Sequence, residues 1–338
     1  MGMVAGLIGE REAEARTMKV IMADRYGPLE GLAGREIQRP DVGEGEVLVR
    51  VRAAGLNIAD VFGVRGSPFP IRLASGLTRP KYGVPGHDLA GVVEAVGAGV
   101  TGFKPGDEVF GEGRGTCAEY AVADPDRLAL RPAGTTPEHA AAMVMAGLAA
   151  LHGLRDAARL QAGQKVLING ASGGVGSFAV QIAKAMGAEV TGVTSTANAE
   201  LVRSLGADHV IDYHREDFTR SAARYDVILD NVENRSLSDV RRVLAPRGVL
   251  VLNSGTGASG LSLLVRLVWP IVRSLVSQQK MRRFLSTPAR ADLDALARLA
   301  EEGKLRSAID RAYPLAETAD ALRHVATGHA RGKVVVAI

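Results

Sequence analysis

The stretch that decides the fold is Lys165-Val-Leu-Ile-Asn-Gly-Ala-Ser-Gly-Gly-Val-Gly-Ser-Phe-Ala-Val-Gln-Ile-Ala-Lys-Ala-Met186. Its first residues form the short apolar run of a buried parallel strand, and Phe178, Ile182 and Met186 recur at helical spacing. Glycines between them permit positive φ and a close approach to a pyrophosphate, while the helix N-terminus offers N–H groups to the anion. Because a second strand follows, the pattern predicts a dinucleotide-binding turn. The expected phosphate-binding residues are Ser172, Gly173, Gly174 and Val175.

The end of the second strand indicates which dinucleotide binds. It reads Gly192-Val-Thr-Ser-Thr196, without the Asp or Glu that binds the ribose 2′-OH in NAD-preferring sites. Hydroxyls at Ser195, Thr196 and Tyr213 can donate to a 2′-phosphate instead. NADPH is therefore the expected cofactor. The expected preference is modest, because the loop continues with Ala197 and Asn198 and contains neither Arg nor Lys.

Composition excludes several classes of protein. The 338 residues are 46% hydrophobic and 23% charged, which is ordinary for a globular chain long enough for two cores. A net charge of +4, with few aromatic residues and no basic cluster, argues against a nucleic-acid partner. The lone Cys117 excludes internal disulfides and fits a reducing, cytoplasmic compartment. Residues 1–17 lack the charge order of a secretory signal and are interpreted as an extension.

The remaining pattern predicts an α/β fold with two domains. Residues 18–136 are β-rich and barrel-like, and residues 290–338 return to this first domain. Residues 137–289 alternate helices and strands, which indicates a doubly wound parallel sheet. The expected strands are Met18–Met22, Glu46–Arg52, Ala90–Val96, Glu108–Phe110, Ala118–Val122, Val166–Ile168, His209–Asp212, Asp226–Asp230, Gly248–Asn253, Leu305–Ala312 and Lys333–Ile338. The expected helices are Pro137–Leu160, Leu237–Leu244 and Ala316–Thr327.

Several motifs together resemble a known family over residues 18–338. They are Gly86-His-Asp88, Lys104-Pro-Gly-Asp-Glu-Val-Phe110, Gly170-Ala-Ser-Gly-Gly-Val-Gly176, Asp230-Asn-Val232 and Gly328-His-Ala-Arg-Gly-Lys333. The chain resembles the medium-chain dehydrogenase/reductase superfamily. More narrowly, it is similar to the zinc-independent, quinone-oxidoreductase-like branch, which includes reticulon-4-interacting-protein-like members. The resemblance implies a GroES-like β-barrel catalytic domain, a Rossmann domain, and cofactor contacts at Asn231, Asn253, His329, Ala330 and Arg331.

Catalysis by a bound zinc ion is the main alternative to a metal-free reaction, because zinc alcohol dehydrogenases share this fold. A catalytic zinc needs three protein ligands, typically including thiolates. Asn57 stands where those relatives carry the first Cys ligand, and Val144 or Met145 lies near the second position. His87 is left without partner ligands, so it is expected to be a hydrogen-bonded packing residue. No metal site is expected.

Without a metal, reduction of a carbonyl or enone needs donors aimed at the oxygen on which charge develops. The candidate catalytic residues are Asn57, which can donate an amide N–H, together with Asp60 and Arg65. Arg65 either stabilises the enolate or pairs with Asp60; in the second case the pair only staples the loop. Phe69 stands where related reductases often have a Tyr, which leaves Tyr82 or water as the proton donor.

The sequence therefore predicts a zinc-independent NADPH-dependent reductase of an apolar α,β-unsaturated carbonyl or quinone. The alternatives are alcohol/aldehyde interconversion in the same cleft and an NADPH-binding protein without turnover. A hydrophobic segment at 261–285 is too short and too broken by Arg266, Pro270 and Arg273 to span a bilayer. It is expected to be a broken amphipathic helix that covers the substrate cleft or a homodimer partner, with membrane-surface binding as the alternative.

Overall fold

A computed structural model of the chain describes residues 17–69, 71–253 and 278–338. Most of the expected N-terminal extension, and the hydrophobic segment up to residue 277, lie outside the described residues. The strands are β1 (Thr17–Met22), β2 (Ala33–Gln38), β3 (Val47–Leu56), β4 (Asp88–Val96), β5 (Glu108–Arg114), β6 (Tyr120–Leu130), β7 (Lys165–Asn169), β8 (Glu189–Thr194), β9 (His209–Asp212), β10 (Tyr225–Asp230), β11 (Leu244–Leu252), β12 (Lys280–Arg282), β13 (Ile309–Pro314) and β14 (Lys333–Ala337). The helices are α1 (Ile58–Arg65), α2 (Ile71–Ser75), α3 (Pro137–Leu151), α4 (Gly174–Ala185), α5 (Ala199–Ser204), α6 (Leu237–Arg242), α7 (Arg290–Glu301) and α8 (Thr318–Ala326).

One sheet has six parallel strands in the order β12-β11-β10-β7-β8-β9. The strands are apolar because both faces of the sheet are covered, and β7 buries Val166, Leu167 and Ile168 completely. The chain order reverses between β7 and β10, and a ligand is expected in the crevice at the carboxyl ends of these strands. This sheet confirms the predicted Rossmann fold.

A second sheet has the order β13-β14-β3-β4-β5-β6, and an additional pairing of β3 with β6 closes the four strands β3 to β6 on themselves. The strand β14 inserts between β13 and β3, so the carboxyl-terminal residues complete a sheet begun near the amino terminus. This β-barrel-like architecture confirms the predicted GroES-like fold.

The helix α3 packs between the two sheets, against β3, β4 and β5 on one side and α4 on the other. It is apolar around most of its circumference because it is buried on most sides. Contact with β3 is close, since a Cβ on Gly55 would lie 2.5 Å from the carbonyl oxygen of Ala141. The two sheets are therefore held by one shared helix, and the cleft between them has a fixed floor.

The element boundaries differ from the sequence expectations at several places. The helix expected over Pro137–Leu160 changes to a π-helical turn at His152–Ala158, and the expected turn at residues 246–248 is an irregularity within β11. The expected strand Leu305–Ala312 begins only at Ile309, and α1 was not predicted. Within the described residues, no helix is both long and apolar enough to cross a membrane.

Candidate active site

The glycine-rich turn lies between β7 and α4, at the carboxyl edge of the parallel sheet. Gly170 has φ +77°, and a Cβ on Gly176 would lie 2.1 Å from the carbonyl oxygen of Gly170. Glycine has no Cβ and so avoids this clash, which lets the helix begin directly against the turn. Gly173 is the N-cap and α4 starts at Gly174, with no acidic residue in the first turn. These features fit a pyrophosphate at the helix N-terminus, as predicted for Ser172, Gly173, Gly174 and Val175.

The loop after β8 contains the residues expected around the adenosine ribose. Thr194 is buried and its hydroxyl donates to Ser172 Oγ (2.8 Å), which also accepts from Asn198 Nδ2 (3.2 Å). Ser195 is partly buried and faces the end of the strand, where it precedes a 3₁₀ turn. The buried Oδ1 of Asn198 has no partner among the described atoms, and an unsatisfied acceptor of this kind fits a ligand hydroxyl.

Thr196 and Tyr213 were both expected to donate a hydroxyl to a 2′-phosphate, and their surroundings differ from that expectation. Thr196 Oγ1 donates to Asp212 Oδ2 (2.5 Å), so a carboxylate from β9 lies beside the loop although β8 itself ends without an acid. Tyr213 is half-exposed, and its backbone N–H donates to Thr194 O (3.0 Å). Asp212 has a lowered pKa, chiefly through the Thr196 hydrogen bond. It also lies 3.4 Å from Arg215, which offsets part of its charge.

Asparagines from three strand ends meet at the next part of the edge. Asn231 Nδ2 donates to Asn169 O (3.1 Å), and Asn253 Nδ2 donates to Asn231 Oδ1 (2.8 Å). The buried Asp230 accepts from Asn169 Nδ2 (2.8 Å) and from the N–H groups of the following turn. The structure thus brings the predicted contacts Asn231 and Asn253 together at the carboxyl ends of β10 and β11, where the nicotinamide half of a dinucleotide lies in this fold.

The residues Arg331, Gly332 and Lys333 join these regions. Arg331 Nη2 donates to Ala197 O (3.0 Å) in the loop after β8, and the Gly332 N–H donates to Ser172 O (2.8 Å) in the glycine-rich turn. The side chain of Lys333, in contrast, contacts β3 and β4 of its own sheet. The other two predicted contacts of this segment are less engaged: His329 is exposed, and Ala330 is partly buried against the core of the first domain.

Lys333 is a buried cation at the boundary between the two sheets. Its Nζ donates to Leu56 O (2.8 Å) and to Asn57 Oδ1, and lies 3.6 Å from Asp88 Oδ2. Asn57 Nδ2 donates to the same Asp88 oxygen (2.8 Å). Because Oδ1 accepts from a cation, the amide orientation of Asn57 is determined. A Cβ on Gly174 would lie 3.4 Å from Lys333 Cδ, so this side chain also contacts the start of α4.

Burial changes the ionisation of the Lys333–Asp88 pair. Desolvation raises the pKa of Asp88 to about 6, although Lys333 and the hydrogen bond from Asn57 act in the opposite direction. Desolvation also lowers the pKa of Lys333, and Asp88 partly restores it. Asp88 Oδ1 is buried without a hydrogen-bond partner among the described atoms. Besides contacting each other and Asn57, Lys333 donates to Leu56 O, and Asp88 accepts from the Met145 N–H.

Asp60 is buried and joins two residues of the first domain. Its Oδ2 accepts from the Asn57 N–H (2.7 Å), and its Oδ1 lies 2.7 Å from His87 Nδ1. The expected alternative pairing of Asp60 with Arg65 is therefore wrong: Arg65 is exposed on the last turn of α1, while Asp60 faces inward from the first turn. His87 was predicted to be a hydrogen-bonded packing residue: the hydrogen bond is confirmed, but the side chain is half-exposed rather than packed.

Residues in the described ranges do not fit a zinc ion. They contain no group of three or more His, Cys, Asp or Glu side chains placed to bind one metal. Met145, expected near the second thiolate position, contributes only a backbone N–H to Asp88 (3.3 Å). The ammonium of Lys333 already neutralises Asp88, and a cation beside it would be repelled.

Sequence reasoning missed three functional side chains of this region. Lys333 and Asp88 were quoted only as parts of motifs, and Asp212 only as the end of a strand. Buried charged residues are rare unless paired, so a Lys opening an apolar strand and an Asp preceding another were available signals. The contacts of Lys333 with Asp88 and Asn57 could not be inferred from local patterns, because the partners are distant in sequence: Asn57 and Lys333 lie 276 residues apart.

Comparisons with known proteins agree with this architecture. Residues 43–146 match the family described as alcohol dehydrogenase GroES-like domain, and residues 205–336 match the family described as zinc-binding dehydrogenase. The chain is 31% identical over 341 residues to the chloroplast envelope quinone oxidoreductase homolog of Arabidopsis thaliana, covering 95% of this chain and 98% of that protein. It is also 31% identical over 377 residues to the mitochondrial NAD(P)H oxidoreductase RTN4IP1 of Mus musculus, covering 97% and 91%.

Solved structures show the same likeness. The quinone oxidoreductase from Coxiella burnetii superposes with a TM-score of 0.81 at 30% identity, covering 95% of this chain and 99% of that one. The likeness extends through both sheets and the helix between them, so it includes the residues of the cleft. The chain thus belongs to the medium-chain dehydrogenase/reductase superfamily and is an oxidoreductase of the quinone-oxidoreductase-like kind that uses a nicotinamide cofactor.

Proposed function

We propose that this protein is a zinc-independent, NADPH-dependent reductase of apolar α,β-unsaturated carbonyl compounds or quinones. The observation that carries the proposal is the run of three residues from Arg331 to Lys333. It links the loop after β8, the phosphate-binding turn and the amide of Asn57. The cofactor supplies a hydride when bound. The chain supplies the orientation of the acceptor and the stabilisation of charge on its oxygen.

NADPH is favoured over NADH because of the charge around the loop after β8. The guanidinium of Arg331 donates a hydrogen bond to Ala197 O in this loop. It therefore provides a cation beside a loop whose own sequence contains neither Arg nor Lys. A planar guanidinium binds a phosphate with two parallel hydrogen bonds. Asp212 opposes it, but Thr196 and Arg215 occupy that carboxylate. Ser195 and Tyr213 complete the set of donors for the 2′-phosphate.

Asn57 is the donor to the acceptor oxygen. The ammonium of Lys333 can only donate hydrogen bonds, so it binds the Oδ1 of Asn57. The Nδ2 group of Asn57 therefore points away from the ammonium. One N–H of Nδ2 goes to Asp88, and the second remains for the substrate. A prealigned donor of this kind stabilises the negative charge that develops on a carbonyl oxygen. Arg65 is a secondary contributor, since its side chain is exposed at the end of α1.

Exposed apolar side chains on the elements that follow Asn57 in the chain support an apolar acceptor. Large apolar side chains are exposed on α1, on α2 and in the segments that flank α2: Ile58, Phe69, Leu73 and Leu77. Clustered exposed apolar residues mark a binding surface more often than scattered ones do. Binding of an apolar acceptor would remove this area from water, at about 25 cal/mol per Å².

The function is tested by anaerobic NADPH oxidation with matched panels of enones, quinones and aldehydes. Turnover of enones or quinones, retained after exhaustive chelation, is the expected result. Exclusive turnover of aldehydes, or binding of NADPH without turnover, would contradict the proposed reaction. Stoichiometric zinc that is lost together with activity would contradict zinc independence.

Cofactor preference is tested separately with Arg331→Ala. Removal of a charge-assisted phosphate contact costs about 1.5–3 kcal/mol, or roughly 10- to 150-fold in the dissociation constant for NADPH. Binding of NADH, measured by the same calorimetry, should be unchanged because it has no 2′-phosphate. Equal losses for both cofactors would assign Arg331 a structural role.

A further inference from the structure

His87 is a half-exposed histidine that the proposed reaction leaves without a task. It immediately precedes β4, and its backbone oxygen accepts from the Gly113 N–H of β5 (2.8 Å), so its position is fixed by the sheet. The imidazole Nδ1 lies 2.7 Å from Asp60 Oδ1. The side chain of His87 is 48% exposed, while that of Asp60 is fully buried. Among the described residues, none forms a hydrogen bond with His87 Nε2.

Asp60 places His87 beside the oxyanion donor. One carboxylate oxygen holds the imidazole and the other holds the backbone N–H of Asn57 (2.7 Å), so both groups are anchored on a single buried carboxylate. Asn57 is in turn held by Lys333, which contacts the start of the phosphate-binding helix. His87 and Asn57 are therefore neighbours: both contact Asp60, and Asp88, the residue after His87 in the chain, accepts from Asn57 Nδ2 (2.8 Å).

The charges around His87 favour its protonated form. Its neighbours are the carboxyl groups of Asp60 on α1, Asp88 on β4 and Glu112 on β5. Lys333 pairs with Asp88, and Arg127 pairs with Glu112. The hydrogen bond to Asp60 raises the pKa of His87 to about 9, although desolvation acts against it. A protonated imidazole with Nδ1 bound to a carboxylate has one remaining donor, Nε2–H, and that donor is exposed.

We propose that His87 is the general acid of the reaction and delivers a proton from Nε2 to the acceptor oxygen, with Asp60 as its positioning residue. This inference rests on the proposed function. It supplies a proton donor at a site where Phe69 replaces the Tyr of related reductases and has no hydroxyl. It also gives a chemical role to a histidine–carboxylate pair at a centre where the described residues form no metal ligand set: the imidazolium donates the proton.

The step balances in atoms and electrons. Hydride transfer to the β-carbon of an enone breaks the C4–H bond of the dihydronicotinamide, which is oxidised, and forms a C–H bond on the substrate, which is reduced. The C=C pair shifts to form the enolate double bond, and the C=O π pair moves onto the oxygen. The Nε2–H bond of His87 breaks, an O–H bond forms on that oxygen, and the imidazole is left neutral. The enol then tautomerises to the ketone, and His87 regains its proton from water. With a quinone, the same proton converts the hydroquinone monoanion to the hydroquinone.

A structural role for His87 is the alternative, because the Asp60 pair could serve only to hold the start of α1. Two variants separate these roles. His87→Gln keeps a hydrogen-bonding side chain but cannot act as an acid near neutral pH. Asp60→Asn still accepts from the Asn57 N–H but removes the charge that keeps the imidazole protonated. The matched control is His324→Gln, which breaks a similar histidine–carboxylate contact (2.6 Å to Asp310) on α8.

The first measurement needs no turnover. NMR titration of the apo protein should find His87 titrating near pH 9 in the wild type and close to the ordinary 6.5 in Asp60→Asn. The second is the pH profile of kcat/KM for an enone. Because the acid form is active, the rate should fall as the pH rises through about 9, and Asp60→Asn should move this limb to lower pH by the same amount as the NMR titration.

His87→Gln should lower kcat for enones by about 10²–10⁴-fold, the usual contribution of a general acid, and remove the alkaline limb. The loss should be smaller for electron-poor quinones, whose products are stronger acids and need less help. NADPH affinity should be unchanged, and His324→Gln should behave as the wild type. An active His87→Gln enzyme with an unchanged alkaline limb would overturn the role of His87 alone, while a wild-type enzyme inactive with every acceptor would overturn the proposed function as well.

Discussion

Replacement of Lys333 by Met tests the buried charge network most directly. The side chains of Lys333 and Asp88 are 3% and 1% exposed, and the substitution removes the ammonium while keeping most of the side-chain volume. Asp88 would remain as a buried carboxylate without a cation, and Leu56 O and Asn57 Oδ1 would lose a charged donor. Removing one partner of a buried ion pair costs about 3–5 kcal/mol.

This cost can be converted to a melting temperature. An unfolding entropy of about 2.1 cal/mol/K per residue over 338 residues is ~0.7 kcal/mol/K, so the expected decrease is about 4–7 °C at pH 8. The decrease should be smaller at pH 5. The pKa of Asp88 is raised above its unfolded value, so protonation favours the folded state, and this contribution is lost as the pH rises through about 6. Without Lys333, the folded pKa should rise further.

The control is the double variant Lys333→Met/Asp88→Asn, in which no buried charge is left unpaired. It should recover part of the loss at pH 8, because the two sites are coupled. Calorimetry of Lys333→Met, of Asp88→Asn and of the double variant at both pH values measures the coupling. A destabilisation below about 1 kcal/mol, as for exposed ion pairs, or an equal loss at pH 5 and pH 8, would refute the reasoning.

Three further substitutions have expected outcomes. Ser195→Asp should shift the preference toward NADH, as judged by dissociation constants for both cofactors; the buried Thr194 is a poorer site for the same change, and an unaltered ratio would contradict the assignment of the 2′-phosphate loop. Gly176→Ala should lower both NADPH affinity and melting temperature, since its Cβ would lie 2.1 Å from Gly170 O, and normal binding by calorimetry would disprove that contact. Glu233 has φ +55°, so Glu233→Gly should be about 1 kcal/mol more stable than Glu233→Ala in denaturant unfolding, although both lose the ion pair with Arg283; the reverse order would show that backbone strain does not decide this position.

The elements predicted best are those whose signal is local. The strand, turn and helix around Gly173 follow from apolar runs and glycines within a few residues, because backbone freedom and helical spacing are properties of neighbouring positions. The helix α1 was not predicted, since Gly63 interrupts a short segment whose capping residue Asp60 was interpreted as a candidate catalytic residue or a partner of Arg65. The π-helical end of α3 carried no recognised signal in its sequence.

By itself, the sequence determined the Rossmann turn, the absence of an acid at the end of β8, and the residue types available in the cleft, because each depends on side chains close together in the chain. Only the tertiary structure decided which of them pair. Asp60 bonds His87 across 27 residues rather than Arg65 on its own helix, Arg331 reaches Ala197 across 134, and Lys333 reaches Asn57 across 276. Contacts at such separations are set by how the two sheets pack around α3. The low dielectric of that packing alters the proton affinities of the buried Lys333 and Asp88, while the hydrogen bond to Asp60 raises that of His87.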